Sequence, residues 1–145
     1  MWFVFAILAA LIWGLNYAAS GRVLSRGLSP SGLFLMDISF GLLVVGAITI
    51  ATGKVGRIVD EVRGLGPDLL WLGVAMVSST AAGVLIFMAI EGKNATVASL
   101  IEISYPMFVA VFAWVLFRET QMNVSTLIGA ALIISGVVVV WSGNR

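Results

Sequence analysis

The chain has 145 residues, of which 61% are hydrophobic and only 10% are charged. Soluble domains are usually about 45–50% apolar and about 25% charged, so this chain has too little polar surface to cover a water-facing fold. The formal net charge of +1 gives no sign of a nucleic-acid partner, which needs a basic patch. Because the sequence has no cysteine and no histidine, disulfides, thiolate chemistry, imidazole metal sites and His-based catalytic triads are excluded. We expect an integral membrane protein that needs no cofactor or metal.

The first apolar segment, Met1 to Gly21, carries no charged side chain. At about 1.5 Å per residue it is long enough to cross a hydrocarbon core of about 30 Å. A cleaved signal peptide begins with a basic region, but no Lys or Arg precedes Arg22. The small residues at 18–20 leave cleavage open as the alternative. We predict that the segment is retained as the first span.

Four further apolar runs follow, divided by short polar segments. They are continuous and long, whereas a membrane β-strand alternates in polarity over about ten residues. The sequence therefore predicts an all-α membrane protein, with one transmembrane domain over residues 1–145. The five predicted helices cover about 2–20, 31–52, 68–90, 95–117 and 124–141.

Residues 54–64, between the second and third spans, have a different pattern. Val55, Ile58, Val59 and Val62 recur at three- and four-residue spacing, with charged residues between them. This spacing predicts a short helix lying at the membrane surface. A solvated loop is an equal alternative.

Basic residues are balanced between the two sides of the membrane. With five spans, the N-terminal side, called side A, holds four of the eight Lys and Arg residues, and side B holds the other four. Those of side A are Lys54, Arg57, Arg63 and Arg118, and those of side B are Arg22, Arg26, Lys93 and Arg145. Orientation normally follows an excess of Lys and Arg in cytoplasmic loops. The balance predicts insertion in both orientations, unless other features select one.

Three polar side chains fall inside apolar spans at a similar predicted depth. Glu102 in the fourth span and Asp37 in the second lie roughly 8–11 Å from side B at about 1.5 Å per residue, and Asn16 in the first span is comparable. A carboxyl group at the centre of a membrane helix costs about 2.5–3.5 kcal/mol on the insertion scale, and it indicates function by default. Polar side chains at one depth on three spans predict the lining of a cavity. Asp37 could instead pair with Arg22 or Arg26 near the interface.

Helical spacing extends these polar positions into faces. Trp13, Asn16, Tyr17 and Ser20 share a face of the first span, and Ser99, Glu102 and Tyr105 share one of the fourth. Pro106 has no N–H for the carbonyl of Glu102, so we expect a kink there. The small residues 78–83 of the third span predict either close helix packing or ligand contact.

These residues resemble a known family, the EamA-type repeat of the drug/metabolite transporter superfamily. The resemblance runs from Trp13-Gly14, through the small-residue run 95–99 with the mid-span Pro106, to Glu119 and the pair Gly129 and Gly136. Two positions depart from the usual pattern. Arg118 stands where members have Gly, and Asp37 lies near where many members carry Arg.

The resemblance implies a multi-pass protein of the cell (plasma or inner) membrane, with the fold of one five-helix repeat, that transports small metabolites or cationic or apolar solutes and is not an enzyme. Members usually pair two repeats in inverted orientation, which implies that a half-size chain acts as an antiparallel, dual-topology homodimer with alternating access. The predicted substrate-binding residues are Trp13, Asn16, Tyr17, Asp37, Glu102 and Tyr105.

Glu102 is also the candidate for proton coupling. Desolvation favours its neutral form and a bound cation favours its charged form, so substrate and proton would compete for it. The alternative function is a non-transporting small subunit or scaffold of a larger complex, in which polar groups only hold helices together.

Overall fold

The computed structural model describes residues 1–120 and 123–144, and within them the chain is helical with no strand. Five segments are long and apolar enough to cross a membrane: Trp2–Leu24, Pro30–Ala51, Gly66–Gly92, Ala95–Phe117 and Val124–Ser142. The predicted all-α fold with five spans is therefore confirmed. Residues 121, 122 and Arg145 lie outside the described part of the chain, so the side B position predicted for Arg145 stays a prediction.

Within the described residues, seven α-helices form the five spans and the segment between the second and third of them. They are α1 (Trp2–Leu24), α2 (Pro30–Ala51), α3 (Val55–Gly64), α4 (Leu69–Gly92), α5 (Ala95–Glu102), α6 (Tyr105–Phe117) and α7 (Val124–Ser142). A single 3-10 turn, Gly66–Asp68, precedes α4, and α5 and α6 together form the fourth span.

Short polar side chains begin three of these helices. The side chains of Ser29, Asn94 and Asn123 accept hydrogen bonds from backbone N–H groups three residues on, at 3.1, 2.8 and 2.9 Å. Each bond satisfies one of the N–H groups that the first turn of a helix leaves unpaired. Pro30 follows the first of these caps, at a position where its missing N–H is not needed.

The packed core lies at the side B end of the bundle. Leu24, Phe87, Ile90 and Ala98 are buried together there, and they come from α1, α4 and α5. Phe34 of α2 joins them, with its ring centroid 6.2 Å from that of Phe87 in an edge-to-face arrangement. The first helix continues to Leu24, past the predicted end near residue 20, because Leu24 is part of this core.

The last span returns to the same end of the bundle. Lys93, between α4 and α5, donates a hydrogen bond from Nζ to the backbone carbonyl of Asn144, just after α7, at 3.0 Å. Most other apolar side chains stay exposed, including large ones on every span. In an apolar bundle this size, such surfaces suit lipid or another membrane helix.

Candidate functional site: a carboxyl group inside the bundle

Two residues of the predicted site are joined by a direct hydrogen bond. The hydroxyl of Tyr17 in α1 donates to Oε2 of Glu102 in α5 at 2.7 Å. Tyr17 lies seven residues before Leu24, the end of α1, and Glu102 lies seven residues after Ala95, the start of α5. At about 1.5 Å per residue, both therefore sit about 10 Å from the side B ends of their helices. The equal depth lets α1 and α5, which pack against each other, bring the two groups together.

Trp13 extends this pair along the same face of α1. Its ring centroid lies 5.6 Å from that of Tyr17, one helical turn away, with the planes tilted by 44°. The Trp13 side chain is still 54% exposed. An aromatic surface therefore continues from the carboxyl group toward the outside of the bundle.

Asn16 lies beside Tyr17 in the chain and has an unsatisfied group. Its Oδ1 is buried and accepts no hydrogen bond from any residue that the structure describes. A buried acceptor without a donor costs about 1–3 kcal/mol, so nearly all such groups in proteins are satisfied. The Asn16 amide thus needs a donor from outside the described chain. Ser20, one turn further on, is 4% exposed and closes this face toward side B.

The fourth span is interrupted directly after Glu102. The helix α5 ends at Glu102, and α6 begins at Tyr105, so residues 103 and 104 belong to neither. Pro106 lies in the first turn of α6. The fourth span still covers Ala95–Phe117, as expected, but two turn residues with right-handed helical angles divide it into two helices at the predicted kink. Glu102 becomes the last residue of a half-helix, where backbone carbonyls lose their helical partners.

Tyr105 forms no hydrogen bond with Tyr17 or Glu102 in the described chain. It is the first residue of α6, beyond the break, and its side chain is 60% exposed. Residues 103 and 104 keep right-handed helical backbone angles, so the expectation that Glu102 and Tyr105 share one face stays a prediction.

Asp37 also lies apart from the bonded pair. It is exposed on α2, whose main neighbour is α4, and within residues 1–120 and 123–144 it forms no hydrogen bond or ion pair. The alternative pairing with Arg22 or Arg26 is likewise absent from the described part of the chain. Within one chain the structure therefore joins side chains of α1 and α5, and a place for Asp37 in the site stays a prediction.

The small residues of the third span have two different roles. Gly83 lies directly against the ring of Phe34. A Cβ atom added to this glycine would be 2.8 Å from Cζ of that ring. The hydroxyls of Ser78 and Thr80 instead donate to backbone carbonyls of their own helix, at 3.2 and 2.9 Å, and stay exposed. Of the two roles predicted for residues 78–83, close helix packing is seen at Gly83. Ligand contact by the exposed hydroxyl groups of Ser78 and Thr80 stays a prediction.

A groove that the sequence did not predict begins at residues 103 and 104 and continues along α6 and α7. It has a volume of about 320 Å³ and lies between α6 and α7. Its lining is mainly apolar and includes Pro106, Met107, Ala110, Thr126, Ala130 and Ile133. The proline at the break and the small residues of α7 were its only signal. In the described residues, no group of three or more Asp or Glu side chains could hold a metal ion.

The fold and the half-buried Tyr17–Glu102 pair define a multi-pass membrane protein with a polar site between two of its helices. A comparison with known families matches residues 1–142 to the EamA-like transporter family. The chain therefore belongs to this family of drug/metabolite-type membrane transporters, and the resemblance seen in the sequence is confirmed. Neither the curated proteins nor the solved structures contain a match.

Proposed function

We propose that the chain is a half-size secondary transporter for small cationic or apolar solutes, and that it works as an antiparallel homodimer with alternating access. The observation that carries this proposal is the 2.7 Å bond between Tyr17 and Glu102. It holds an ionisable group about 10 Å from the side B ends of two packed helices. An ionisable residue at such a depth is costly, and it usually serves a substrate or ion pathway.

The groups around the bond support the class of solute. The Glu102 carboxylate attracts a positive charge, and the exposed ring of Trp13 offers the π-face on which organic cations bind. The buried Oδ1 of Asn16 has no donor in the described chain, and a solute with an N–H or O–H group could supply one. An ammonium-type cation with aromatic or aliphatic substituents meets all three requirements.

Proton coupling is proposed for the same carboxyl group. A proton and a bound cation both neutralise Glu102, so each makes binding of the other less favourable. The Tyr17 hydroxyl can donate to the carboxylate while no cation is bound. Glu102 would release a proton on the side where the solute binds and take up a proton on the side where the solute leaves. Proton movement in one direction would then drive solute movement in the other.

A second copy is proposed because one chain leaves the site open at its side. Trp13 and Tyr105 are 54% and 60% exposed, and Asp37 is exposed on α2. A passage in a membrane needs polar surfaces enclosed by protein, and inverted repeats around a central site are a general way to achieve this. An upside-down copy would add a second Tyr17–Glu102 pair, about 10 Å from the opposite side of the membrane. The balanced Lys and Arg count supports insertion in both orientations.

The test uses proteoliposomes with an imposed pH gradient and ethidium, a fluorescent aromatic cation, as the probe. We expect Glu102→Gln to fold normally and to lose proton-driven ethidium movement, because the amide cannot exchange a proton. The matched control is Glu91→Gln, which changes an exposed carboxyl group in the last turn of α4. Coupling at the wild-type level in Glu102→Gln would remove Glu102 from the mechanism.

Binding measurements separate a transporter from the alternative small subunit. A transporter of this class should be stabilised by ethidium after purification, and Glu102→Gln should reduce that stabilisation. A chain that is indifferent to ethidium and co-purifies with a larger membrane protein would instead be a scaffold, with polar groups that only join helices.

A further inference from the structure

The surface helix α3 has an apolar stripe that the rest of the chain does not cover. The stripe consists of Val55, Ile58, Val59 and Val62, and these side chains are between 38% and 48% exposed. They recur at the three- and four-residue spacing that puts side chains on one side of a helix. No element of the described chain packs extensively on α3. An exposed stripe of this kind needs an apolar environment.

Glycines at both ends of α3 allow it to leave the direction of the spans. Gly53 and Gly66 have φ angles of +65° and +54°, in the left-handed region. Residues with a Cβ are disfavoured there, whereas glycine adopts it readily. Gly53 lies between α2 and α3, and Gly66 lies between α3 and α4. The chain therefore leaves the right-handed helical conformation at each end of α3, which is separate from the spans on either side.

The neighbouring helices place α3 at the side A surface of the bilayer. It lies between the end of α2 at Ala51 and the start of α4 at Leu69. At this end of the bundle, Trp71 packs edge-to-face on Phe117, with ring centroids 4.7 Å apart. Tryptophan favours the headgroup zone, so this pair indicates the level of the interface. The apolar stripe thus lies next to the boundary between lipid tails and headgroups.

The charged residues of α3 are arranged around the stripe in an ordered way. Taking 100° per residue, Lys54 falls on one edge of the stripe and Arg63 on the other. Arg57 lies on the opposite face, with Asp60 and Glu61 three and four residues further on, a spacing at which opposite charges attract. The two edge cations have long aliphatic stems, which can follow the apolar surface while their charged ends reach polar groups beside it.

We infer that α3 lies flat in the side A interface, with its apolar stripe among the upper acyl chains and with Lys54 and Arg63 bound to lipid phosphate groups. A helix with this division of faces binds in the plane of a membrane. The occupant of the stripe is the bilayer itself, because α2 and α4 enter that bilayer at either end of α3. The inference holds whether the protein is a monomer or a dimer, so it does not rest on the proposed function.

The absence of cysteine from the sequence makes the test direct. Single cysteines at Ile58 and Val62 in the stripe, and at Asp60 and Gly64 on the polar face, carry a nitroxide in the full chain within phosphatidylcholine nanodiscs. Collisions with lipid-soluble oxygen and with a water-soluble nickel complex are measured at each. We expect a several-fold higher oxygen-to-nickel ratio at Ile58 and Val62. Equal ratios at the four positions, or shielding of Ile58 from both reagents, would overturn the inference.

A second measurement tests the phosphate contact. With the nitroxide at Ile58, Lys54→Gln together with Arg63→Gln should lower the oxygen-to-nickel ratio several-fold in phosphatidylcholine. The same double variant should change little in nanodiscs of an uncharged glycolipid that has no phosphate. Arg57→Gln, on the polar face, is the matched control and should leave the ratio unchanged in both. An unchanged ratio in the double variant, or equal changes in the two lipids, would refute phosphate binding.

Discussion

The bond between Tyr17 and Glu102 gives the most direct test of the site within one chain. Tyr17→Phe keeps the ring against Trp13 and removes only the hydroxyl that donates to Oε2 at 2.7 Å. A hydrogen bond to a charged group contributes about 1.5–3 kcal/mol, so at a pH that keeps Glu102 charged we expect the free energy of unfolding to fall by about that amount. The measurement is reversible unfolding of the purified protein in mixed micelles.

A double-mutant cycle separates the bond from other effects of losing the hydroxyl. Glu102→Gln keeps an acceptor but removes the charge, and a neutral bond contributes only about 0.5–1.5 kcal/mol. Tyr17→Phe should therefore cost about 1 kcal/mol less in the Glu102→Gln background, a coupling typical of residues in contact. Tyr105→Phe is the matched control, because that side chain is exposed and has no hydrogen bond in the described chain.

Two results would refute this reasoning. In the first, Tyr17→Phe has the same effect with Glu or Gln at position 102, which would mean that the hydroxyl does not interact with the charge. In the second, Tyr17→Phe costs no more than Tyr105→Phe, which would mean that the bond contributes nothing to stability.

Two further stability predictions concern packing and backbone conformation, and both are measured by thermal unfolding in detergent. Gly83→Ala should destabilise the chain by about 1–3 kcal/mol, because the added methyl group overlaps Phe34. Gly73→Ala, in the same helix, is the control: its methyl group meets nothing within 4 Å, so it should be neutral or slightly stabilising. Equal effects of the two substitutions would contradict the contact between Gly83 and Phe34. Arg118 has a φ of 59°, at the end of α6, and its guanidinium lies 5.8 Å from the Trp114 ring. Arg118→Gly should relieve about 1–2 kcal/mol of backbone strain and lose about 0.5–1 kcal/mol of cation–π attraction. It should therefore be more stable than Arg118→Ala, which loses the attraction and keeps the strain; equal stabilities would refute the argument.

The sequence predicts the fold and the depth of the site well, because both depend on counting along helices. Apolar runs long enough to cross a bilayer leave few alternatives to five spans. Tyr17 and Glu102 are both seven residues from the side B ends of their helices, and this equality depends on the first helix continuing past its predicted end to Leu24. Side chains at one level can meet wherever the helices pack together.

The contacts that depend on helix rotation could not be predicted in this way. The helices α2 and α4 are apolar on nearly all sides, so their patterns do not indicate which face is turned inward. Asp37 was therefore expected in the site but lies exposed on α2, and the contact of Gly83 with Phe34 could not be located in advance. Similarly, Pro106 predicts a disturbance of the fourth span, but the length of the break depends on tertiary packing.

One departure from the family pattern has a structural meaning that only the backbone shows. Arg118 occupies the left-handed position after α6, where its N–H and that of Glu119 bond to the carbonyls of Trp114 and Ala113. Helices commonly end in this arrangement with glycine at the left-handed position. The family's usual glycine therefore suits the turn, and Arg118 takes the same conformation at some cost.

The central claim is that the chain enters the membrane in both orientations and pairs with an inverted copy. Its most direct test labels single cysteines in intact cells with a membrane-impermeant maleimide. Gly64→Cys lies after the second span on side A, and Ser25→Cys lies after the first span on side B. We expect about half of each variant to react before permeabilisation and the rest only afterwards, as an equal Lys and Arg count predicts. Complete labelling at one site with none at the other would show a single orientation and would contradict the antiparallel dimer.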